Sequence, residues 1–417
     1  MNYIKPTWVR ALVYHNHRKR VLGSKLQSLV GFDRESYAMP GIATQNNQEK
    51  SQKTLDKHLA VWYIGNGSTW FDLPGGPSGR GLVARVTIRD VAEHAGVGVG
   101  TVSRVLNENP SVRDATRRKV LAAIETLNYT PNPIARRLSL RKTLAIAVVV
   151  PFFTRPAFTE RLRGVEYALA DSEYDLILFN VETTTKRDEY FQDIPRRERF
   201  DGLLIVSLSP RNGEVEHFLG AGVPTVLVDA RHPGLSRVVI DDLAGGRLAT
   251  QHLMQLGHRK IGFVGDQLDN PFNFISSRDR YEGYRRALTE AGIPFRPEYH
   301  RQGQHGREQA RRMTSDLLAL PDPPTAIVAA SDTQAFGVLE AAQDADLKVP
   351  GDVSVIGYDD IEIAEYLHLS TIRQPLFASG VEGVQLLLDS IANPSPAPRR
   401  VLLPVELVVR GTTAPPN

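Results

Sequence analysis

The stretch from residue 86 to residue 138 constrains the fold most strongly, because it contains three short helical patterns in close succession. Thr87, followed three residues later by Asp90, predicts a capping box, and Gly96 predicts the end of the first helix. A second helix is predicted over residues 99–107. The third helix has apolar residues at helical spacing, namely Val120, Ala123, Ile124 and Leu127. Two short helices joined by a glycine turn and braced by a third are typical of a helix-turn-helix unit.

The charge of the chain is unevenly distributed. Residues 85–142 contain 11 Lys/Arg and 5 Asp/Glu, a net charge of about +6, and residues 1–84 have the same counts. Because the whole chain has a formal net charge of +3, residues 143–417 carry about −9. A basic segment attached to an acidic body favours a polyanionic partner that contacts only the basic part, as duplex DNA would.

Three sequence blocks in this region carry a family resemblance. TIRDVAEHAGV, TVSRVLN and LNYTPNPIARRL, in this order and spacing, resemble the DNA-binding head and hinge of the lac repressor family of bacterial regulators. The resemblance covers roughly 330 of the 417 residues. It implies a sequence-specific transcription regulator, in most cases a repressor, that binds double-stranded operator DNA as a homodimer and acts in the bacterial cytoplasm.

The resemblance also assigns roles within the head, residues 85–130. The first residues of the second helix would read base edges, and neighbouring hydroxyls would contact phosphates. The expected base-reading residues are Val99, Gly100 and Arg104, the phosphate contacts are Thr101 and Ser103, and Thr87 and Asn107 complete the set. Arg104 can bind guanine with two hydrogen bonds. Gly100 has no side chain to offer, so direct readout by this helix is expected to be sparse.

The hinge, residues 131–142, is expected to form a short helix that Asn132 caps and Pro133 begins. Asn132, Arg136 and Leu138 are expected to contact DNA. Leu138 resembles the apolar wedges that enter the minor groove and kink DNA. Two alternatives remain open: Leu138 packs between two hinge helices of a dimer, or the segment is a plain linker.

Residues 1–84 lie outside the resemblance and show no sustained hydrophobic periodicity. Two interpretations are open. The segment is a disordered basic arm that adds non-specific DNA affinity, or the true translation start lies near Val83 or Val86. We expect no packed element in this segment.

From residue 143 onward, strands rich in Val, Ile and Leu alternate with helices, which predicts α/β architecture with parallel sheets covered on both faces. The resemblance implies two doubly wound lobes like those of periplasmic binding proteins. Lobe 1 is expected at about 143–241 and 374–393, and lobe 2 at about 242–373 and 400–413. The expected crossovers between lobes lie near Asp241, Arg373 and Asn393.

Polar residues cluster where predicted strands end or helices begin, the edge at which doubly wound lobes bind ligands. Carboxylates accept vicinal hydroxyls, an arginine donates two bonds, and an aromatic ring covers an apolar face. We therefore expect a sugar or sugar derivative to bind there. The expected effector-binding residues are Phe158, Asp229, Arg280, Ser331, Asp332, Asp359 and Gln374. Asp359 follows a buried strand and Arg280 lies in the first turns of an amphipathic helix, and both elements should fold without these charged side chains. Alanine at Arg280 or Asp359 is therefore expected to lower the free energy of unfolding by no more than about 1 kcal/mol if no buried partner is stranded.

Other function classes are disfavoured. The chain has no cysteine, which removes thiolate metal sites, and His252 and His258 miss the i, i+4 spacing of a metal-binding helix. Asp359 and Asp360 point to opposite faces of a strand and cannot share a proton. No cofactor fingerprint occurs, no apolar run reaches the length of a membrane span, and no secretory signal is visible. We therefore expect no metal, cofactor, membrane contact or enzymatic activity. A solute-binding module and a nucleobase-responsive, co-repressed regulator remain as alternatives.

Overall fold

The computed structural model describes residues 62–64, 86–130, 142–394 and 397–417. The three predicted hinge contacts, Asn132, Arg136 and Leu138, lie outside the described residues, as does nearly all of residues 1–84.

Three helices form the head: α1 (Ile88–Ala95), α2 (Val99–Leu106) and α3 (Asp114–Thr126). The predicted capping box is present, because the Asp90 carboxylate accepts hydrogen bonds from the Thr87 N–H (2.7 Å) and hydroxyl (2.8 Å). These bonds lower the pKa of Asp90. Gly96 ends α1 with φ of 65°, a conformation that glycine adopts at little cost. The buried centre of the head consists of Val91, Ala92, Val102, Val105, Val120 and Ala123.

Beyond the head, strands and helices alternate as the sequence predicts. The strands are β2 (Ala145–Pro151), β3 (Asp175–Val181), β4 (Gly202–Val206), β5 (Thr225–Val228), β6 (Ser236–Ile240), β7 (Ile261–Asp266), β8 (His300–Gly303), β9 (Ala326–Ala329), β10 (Ser354–Asp359), β11 (Ser370–Arg373), β12 (Arg400–Leu403) and β13 (Glu406–Val408). The helices are α4 (Pro156–Leu169), α5 (Thr184–Asp193), α6 (Asn212–Ala221), α7 (Asp242–Gln255), α8 (Ser276–Glu290), α9 (Arg307–Leu318), α10 (Asp332–Asp344), α11 (Glu362–Tyr366) and α12 (Leu376–Ala392), with a 3₁₀ turn at Pro297–Tyr299.

The strands form two sheets, and each sheet is the centre of one lobe. Lobe 1 has the order β3-β2-β4-β5-β6-β12, and lobe 2 has the order β13-β11-β10-β9-β7-β8. Within these orders every pair is parallel except β11 with β13. Both sheets are therefore predominantly parallel, as expected.

Two of the three expected crossovers agree with the topology, at Asp241 between β6 and α7 and after Arg373 between β11 and α12. The third differs. β12 pairs in parallel with β6, so residues 400–403 belong to lobe 1 and the chain returns to lobe 2 just before β13, not near Asn393. The physical reason is long-range: the register of β12 is set by a strand about 160 residues earlier in the chain.

Residues along β2 show why the sheets are buried on both faces. Ala145, Ala147 and Val149 pack into a cluster that includes residues of α5 and α6. Ile146, Val148 and Val150 pack into the opposite cluster, with residues of α4 and α12. Side chains alternate between faces along a strand, so helices on both sides require a continuous apolar run. This confirms the doubly wound arrangement.

A further strand, β1 (Trp62–Ile64), pairs antiparallel with β3 at the edge of the lobe 1 sheet. The sequence predicted no packed element in residues 1–84, and this short strand differs from that expectation. Three residues are too few for the alternation that identifies a strand.

Candidate functional site

The head presents one polar face around α2. Thr87, Val99, Gly100, Arg104 and Asn107 are exposed. Thr101 and Ser103 are partly exposed, whereas the buried side of α2 carries Val102 and Val105. All of the residues predicted to contact DNA within the head are therefore accessible. A Cβ added at Gly100 would meet nothing within 4 Å, so the packing of the head does not require glycine there.

A second candidate site is the cleft between the two lobes, at the carboxyl ends of their parallel strands. The space between the two walls of the cleft, open solvent included, is about 620 Å³. Six of the seven predicted effector residues line it: Phe158, Asp229, Arg280, Ser331, Asp359 and Gln374. Residues that the sequence did not single out also line it, among them Arg155, Arg161, Ser207, Asp266, Ser277 and His305.

Arg161 organises the lobe 1 wall of the cleft. Its guanidinium lies 3.1 Å from the Asp229 carboxylate and donates hydrogen bonds to Ser379 (3.0 Å) and Ser207 (3.3 Å). Ser207 in turn donates to Asp229 (2.7 Å). Arg161 is 2% exposed, so this buried charge is compensated by a carboxylate and hydroxyls, as a buried ion pair must be.

Arg280 organises the lobe 2 wall. It donates to the Asp242 carboxylate (2.8 Å) and to the Ala330 carbonyl (2.6 Å), and it lies 3.5 Å from Asp359. Its guanidinium also stacks over the Tyr358 ring, 3.8 Å from the ring centre. Burial raises the pKa of Asp242 to about 6, although Arg280 favours its charged form. Burial likewise raises the pKa of Asp359.

Gln374 joins the two walls. It lies on the connection between β11 of lobe 2 and α12 of lobe 1. Its side-chain amide donates to Asp359, and its side-chain oxygen accepts a bond from Arg161 (3.3 Å). The polar groups of the two lobes are therefore linked through one side chain at a crossover. A change in the angle between the lobes would alter the hydrogen bonds of this side chain.

Asp266 forms a third polar cluster that was not predicted from the sequence. It accepts hydrogen bonds from Ser277 (2.8 Å) and Gln334 (3.0 Å) and contacts His305 (3.1 Å). Burial would raise the pKa of Asp266, but the bonds from His305 and Ser277 outweigh burial and hold the pKa below its ordinary value. Asp266 ends β7 just as Asp359 ends β10. The strand-end rule, by which polar residues at the carboxyl ends of strands are taken as ligand contacts, could therefore have identified Asp266.

Several residues at the strand ends have left-handed backbone conformations. The φ angles are 44° at Phe152, 55° at Ser207, 55° at Asp229 and 122° at Asp359. Such conformations cost free energy for residues other than glycine and cluster at ligand-binding sites. Three of these residues, Ser207, Asp229 and Asp359, line the cleft.

Asp332, the first residue of α10, does not line the cleft. Its carboxylate accepts bonds from the Ile361 N–H (3.0 Å) and the Thr371 hydroxyl (2.6 Å). It is fully buried, and burial raises its pKa well above the ordinary value. The structure therefore gives Asp332 a bracing role within lobe 2, while its neighbour Ser331 caps α10 and does line the cleft.

Among the described residues, no group of three or more His, Asp or Glu side chains has the arrangement of a metal site. In the same part of the chain, no helix has the length and apolar character needed to cross a membrane.

Two family descriptions match this chain. "Bacterial regulatory proteins, lacI family" matches residues 87–132, the head and the start of the hinge. "Periplasmic binding protein-like domain" matches residues 250–413, most of lobe 2 and the C-terminal part of lobe 1. The first match argues against a solute-binding module that lacks a DNA-binding head.

Relatives and solved structures extend the match to nearly four fifths of the chain. Catabolite control protein A of Priestia megaterium is 33% identical over 332 residues, covering 79% of this chain and 99% of the relative. The ribose operon repressor of Escherichia coli K12 is 36% identical over 333 residues, covering 78% and 99%. A lac repressor dimer bound to operator and an anti-inducer is 30% identical, with a TM-score of 0.69 and coverage of 79% and 99%. A cellobiose complex of the regulator CelR is 32% identical, with a TM-score of 0.59 and coverage of 79% and 100%. The chain belongs to the lacI family of bacterial regulatory proteins, which are DNA-binding transcription regulators and not enzymes.

Proposed function

We propose that this regulator is a repressor whose affinity for its operator is controlled by a carbohydrate-like effector bound in the interlobe cleft. The observation that carries the proposal is the bridging of the two lobes by Gln374 inside a polar cleft. A ligand that contacts both walls binds with different affinity at different angles between the lobes. It therefore shifts the protein toward the angle at which it binds more tightly.

The chemistry of the cleft supports a polyhydroxylated effector. Asp229 and Asp359 supply acceptors, Arg280 supplies donors, and the aromatic ring of Phe158 adds an apolar surface. This combination suits a sugar ring, with its polar edge and apolar faces. The names of two similar proteins agree: one relative is a ribose operon repressor, and one similar structure is a cellobiose complex.

The direction of control follows from which interlobe angle the effector prefers. An inducer favours the state with low operator affinity, and a co-repressor favours the state with high affinity. Another relative is the repressor PurR of Actinobacillus pleuropneumoniae, 34% identical over 309 residues, and a co-repressed, nucleobase-responsive regulator is the alternative.

We further propose that Asn132, Arg136 and Leu138 transmit the change in interlobe angle to DNA, and that the protein acts in the bacterial cytoplasm.

Arg104 provides the test of sequence-specific binding. Its side chain is exposed on α2, and a bidentate contact with guanine is worth about 1–3 kcal/mol of discrimination. Arg104→Ala is therefore expected to weaken binding to the selected operator by that amount and to leave binding to random duplex nearly unchanged. The measurement is a fluorescence-anisotropy titration of both duplexes at a fixed salt concentration.

Arg118→Ala is the matched control, since Arg118 is also an exposed arginine of the head but lies on α3. Arg118→Ala should change the affinities for the operator and for random duplex little. Equal losses on operator and random DNA for Arg104→Ala would mean that Arg104 contacts phosphate instead of a base.

We propose that the protein is a homodimer that uses α11 as part of its interface. Three apolar residues of α11 and its end are unusually accessible: Ile363 is 48%, Tyr366 81% and Leu367 38% exposed. A cluster of this kind is typical of an interaction surface, and a two-fold dimer would place two copies of it against each other.

Tyr366→Asp is expected to raise the dimer dissociation constant at least about tenfold, because it places two like charges in an apolar contact. Analytical ultracentrifugation at micromolar concentration measures this change. Leu219→Ser, at a residue 60% exposed on α6, is the control and should leave the dimer intact. A tetramer of the wild type, or a Tyr366→Asp protein as dimeric as the control, would contradict the proposal.

A further inference from the structure

Each of the three carboxylates that line the cleft already contacts a basic side chain of the protein. Asp229 pairs with Arg161 (3.1 Å) and Asp359 with Arg280 (3.5 Å), and Asp266 contacts the imidazole of His305 (3.1 Å). Arg280 has a second anionic partner in the buried Asp242. A ligand can still share hydrogen bonds with these carboxylates, but the cleft does not offer them as unpaired negative charges.

Arg155 is the cationic side chain of the cleft that remains without a carboxylate. No side chain or carbonyl among the described residues accepts a hydrogen bond from its guanidinium, which stacks over the Phe152 ring at 3.8 Å. Burial lowers the pKa of Arg155, and the charge of Asp266 opposes this effect. An arginine side chain has five N–H donors and no acceptor, so this half-buried guanidinium has donors available to a ligand that occupies the cleft.

Asp266 is the protein group that could compete for Arg155, but its acceptor capacity is largely occupied. It already contacts Ser277, Gln334 and His305, and it does not lie within salt-bridge distance of Arg155. The start of α4 adds to the positive potential at the same place, because Arg155 is its N-cap residue and no side chain caps the helix. The N-terminal end of a helix favours anions.

We propose that the effector carries an anionic group, a carboxylate or a phosphate, and that Arg155 binds this group in the cleft. The proposal rests on the proposed function, because it takes the cleft as the effector site, and it narrows the effector from sugars in general to acidic sugar derivatives. Arginine suits this role since its planar fork donates two parallel hydrogen bonds to a carboxylate or phosphate.

The test uses the full-length protein and matched pairs of neutral and acidic sugars. The pairs are glucose with glucuronate, galactose with galacturonate, glucose with glucose 6-phosphate, and ribose with ribose 5-phosphate. We expect at least one acidic member to bind about tenfold to a hundredfold more tightly than its neutral counterpart, as a charged hydrogen bond into a desolvated site provides. Isothermal titration calorimetry gives the affinities, and the uronate and phosphate arms identify which anion is preferred.

Arg155→Gln should reduce this advantage, the ratio of the two affinities measured on the same variant, to about threefold or less. Arg163→Gln is the matched control, because Arg163 lies on the same helix, is 66% exposed and pairs with Glu160 outside the cleft. The control should keep the advantage in full. The proposal is overturned if no acidic member binds better than its neutral partner, or if Arg155→Gln keeps the preference. Operator binding without sugar, measured on the same preparations, tests the proposed function separately.

Discussion

Arg280→Ala is expected to lower the free energy of unfolding by about 3–5 kcal/mol, because it removes one member of a buried charge cluster. Arg280 is 7% exposed, and its partner Asp242 is 1% exposed. Without the Arg280 guanidinium, the buried carboxylate of Asp242 has no cationic partner, and the Ala330 carbonyl loses its hydrogen-bond donor. The sequence-based expectation of a cost within about 1 kcal/mol applied only if no buried partner was stranded, and the contacts of Arg280 with Asp242 and Ala330 do not meet that condition.

Urea denaturation of the unliganded protein measures the effect, and Arg286→Ala is the control. Arg286 lies on the same helix but is 54% exposed and pairs with Glu282 at the surface, a contact worth at most about 1 kcal/mol. Adding Asp242→Asn to Arg280→Ala should recover part of the loss, because the stranded charge is then absent. If Arg280→Ala were no less stable than Arg286→Ala, the buried cluster would not stabilise the fold as we describe.

Gly380→Ala is expected to have the second largest effect, a loss of about 3 kcal/mol, the upper part of the usual range for overpacking a closely packed site. A Cβ at Gly380 would lie 2.1 Å from the Arg161 carbonyl oxygen and 2.9 Å from the Val165 N atom. These are backbone atoms of α4, so α4 itself must move away from α12. Because α4 carries Arg161 and Phe158 into the cleft, the affinity for the effector should fall together with the stability.

Gly213→Ala is the matched control for the Gly380 variant. Gly213 also lies within a helix, α6, but a Cβ there would meet nothing within 4 Å. Alanine at this position should be neutral or should stabilise the protein by up to about 1 kcal/mol, because it has a higher helix propensity than glycine. Thermal denaturation of the two variants separates a helix-propensity effect from the steric one. A Gly380→Ala protein as stable as the Gly213→Ala protein would contradict the close helix packing.

The head could be predicted from the sequence almost residue by residue, because its signals are local. The capping pair Thr87 and Asp90, the left-handed Gly96 and the apolar spacing of α3 each act over a few residues. The topology of the last strands could not be predicted in the same way. Nothing within residues 400–403 distinguishes a strand of lobe 1 from one of lobe 2, since the choice depends on pairing with β6 far away in the chain.

The cleft shows a similar division. The strand-end rule identified Asp229, Asp359 and Gln374, which line the cleft, but it also selected Asp332, whose carboxylate turns inward to Ile361 and Thr371. The rule concerns where a strand ends and does not say which way a side chain points.

Arg161 was not identified at all. In the sequence it is one arginine among several on a helix. Its role becomes visible only where α4 packs beside α12 and brings Ser207, Asp229 and Ser379 to its guanidinium.

The central claim is that occupation of the cleft and binding to operator DNA are coupled, and the reciprocity of that coupling tests it most directly. The operator is selected from random duplexes, and the ligand is the tightest-binding sugar of the matched panel. Operator affinity is measured with and without saturating sugar, and sugar affinity with and without saturating operator. The account predicts that both affinities change by the same factor, about 5-fold to 150-fold, because linkage requires equal factors. Operator affinity that is unchanged by a saturating cleft ligand would contradict the account.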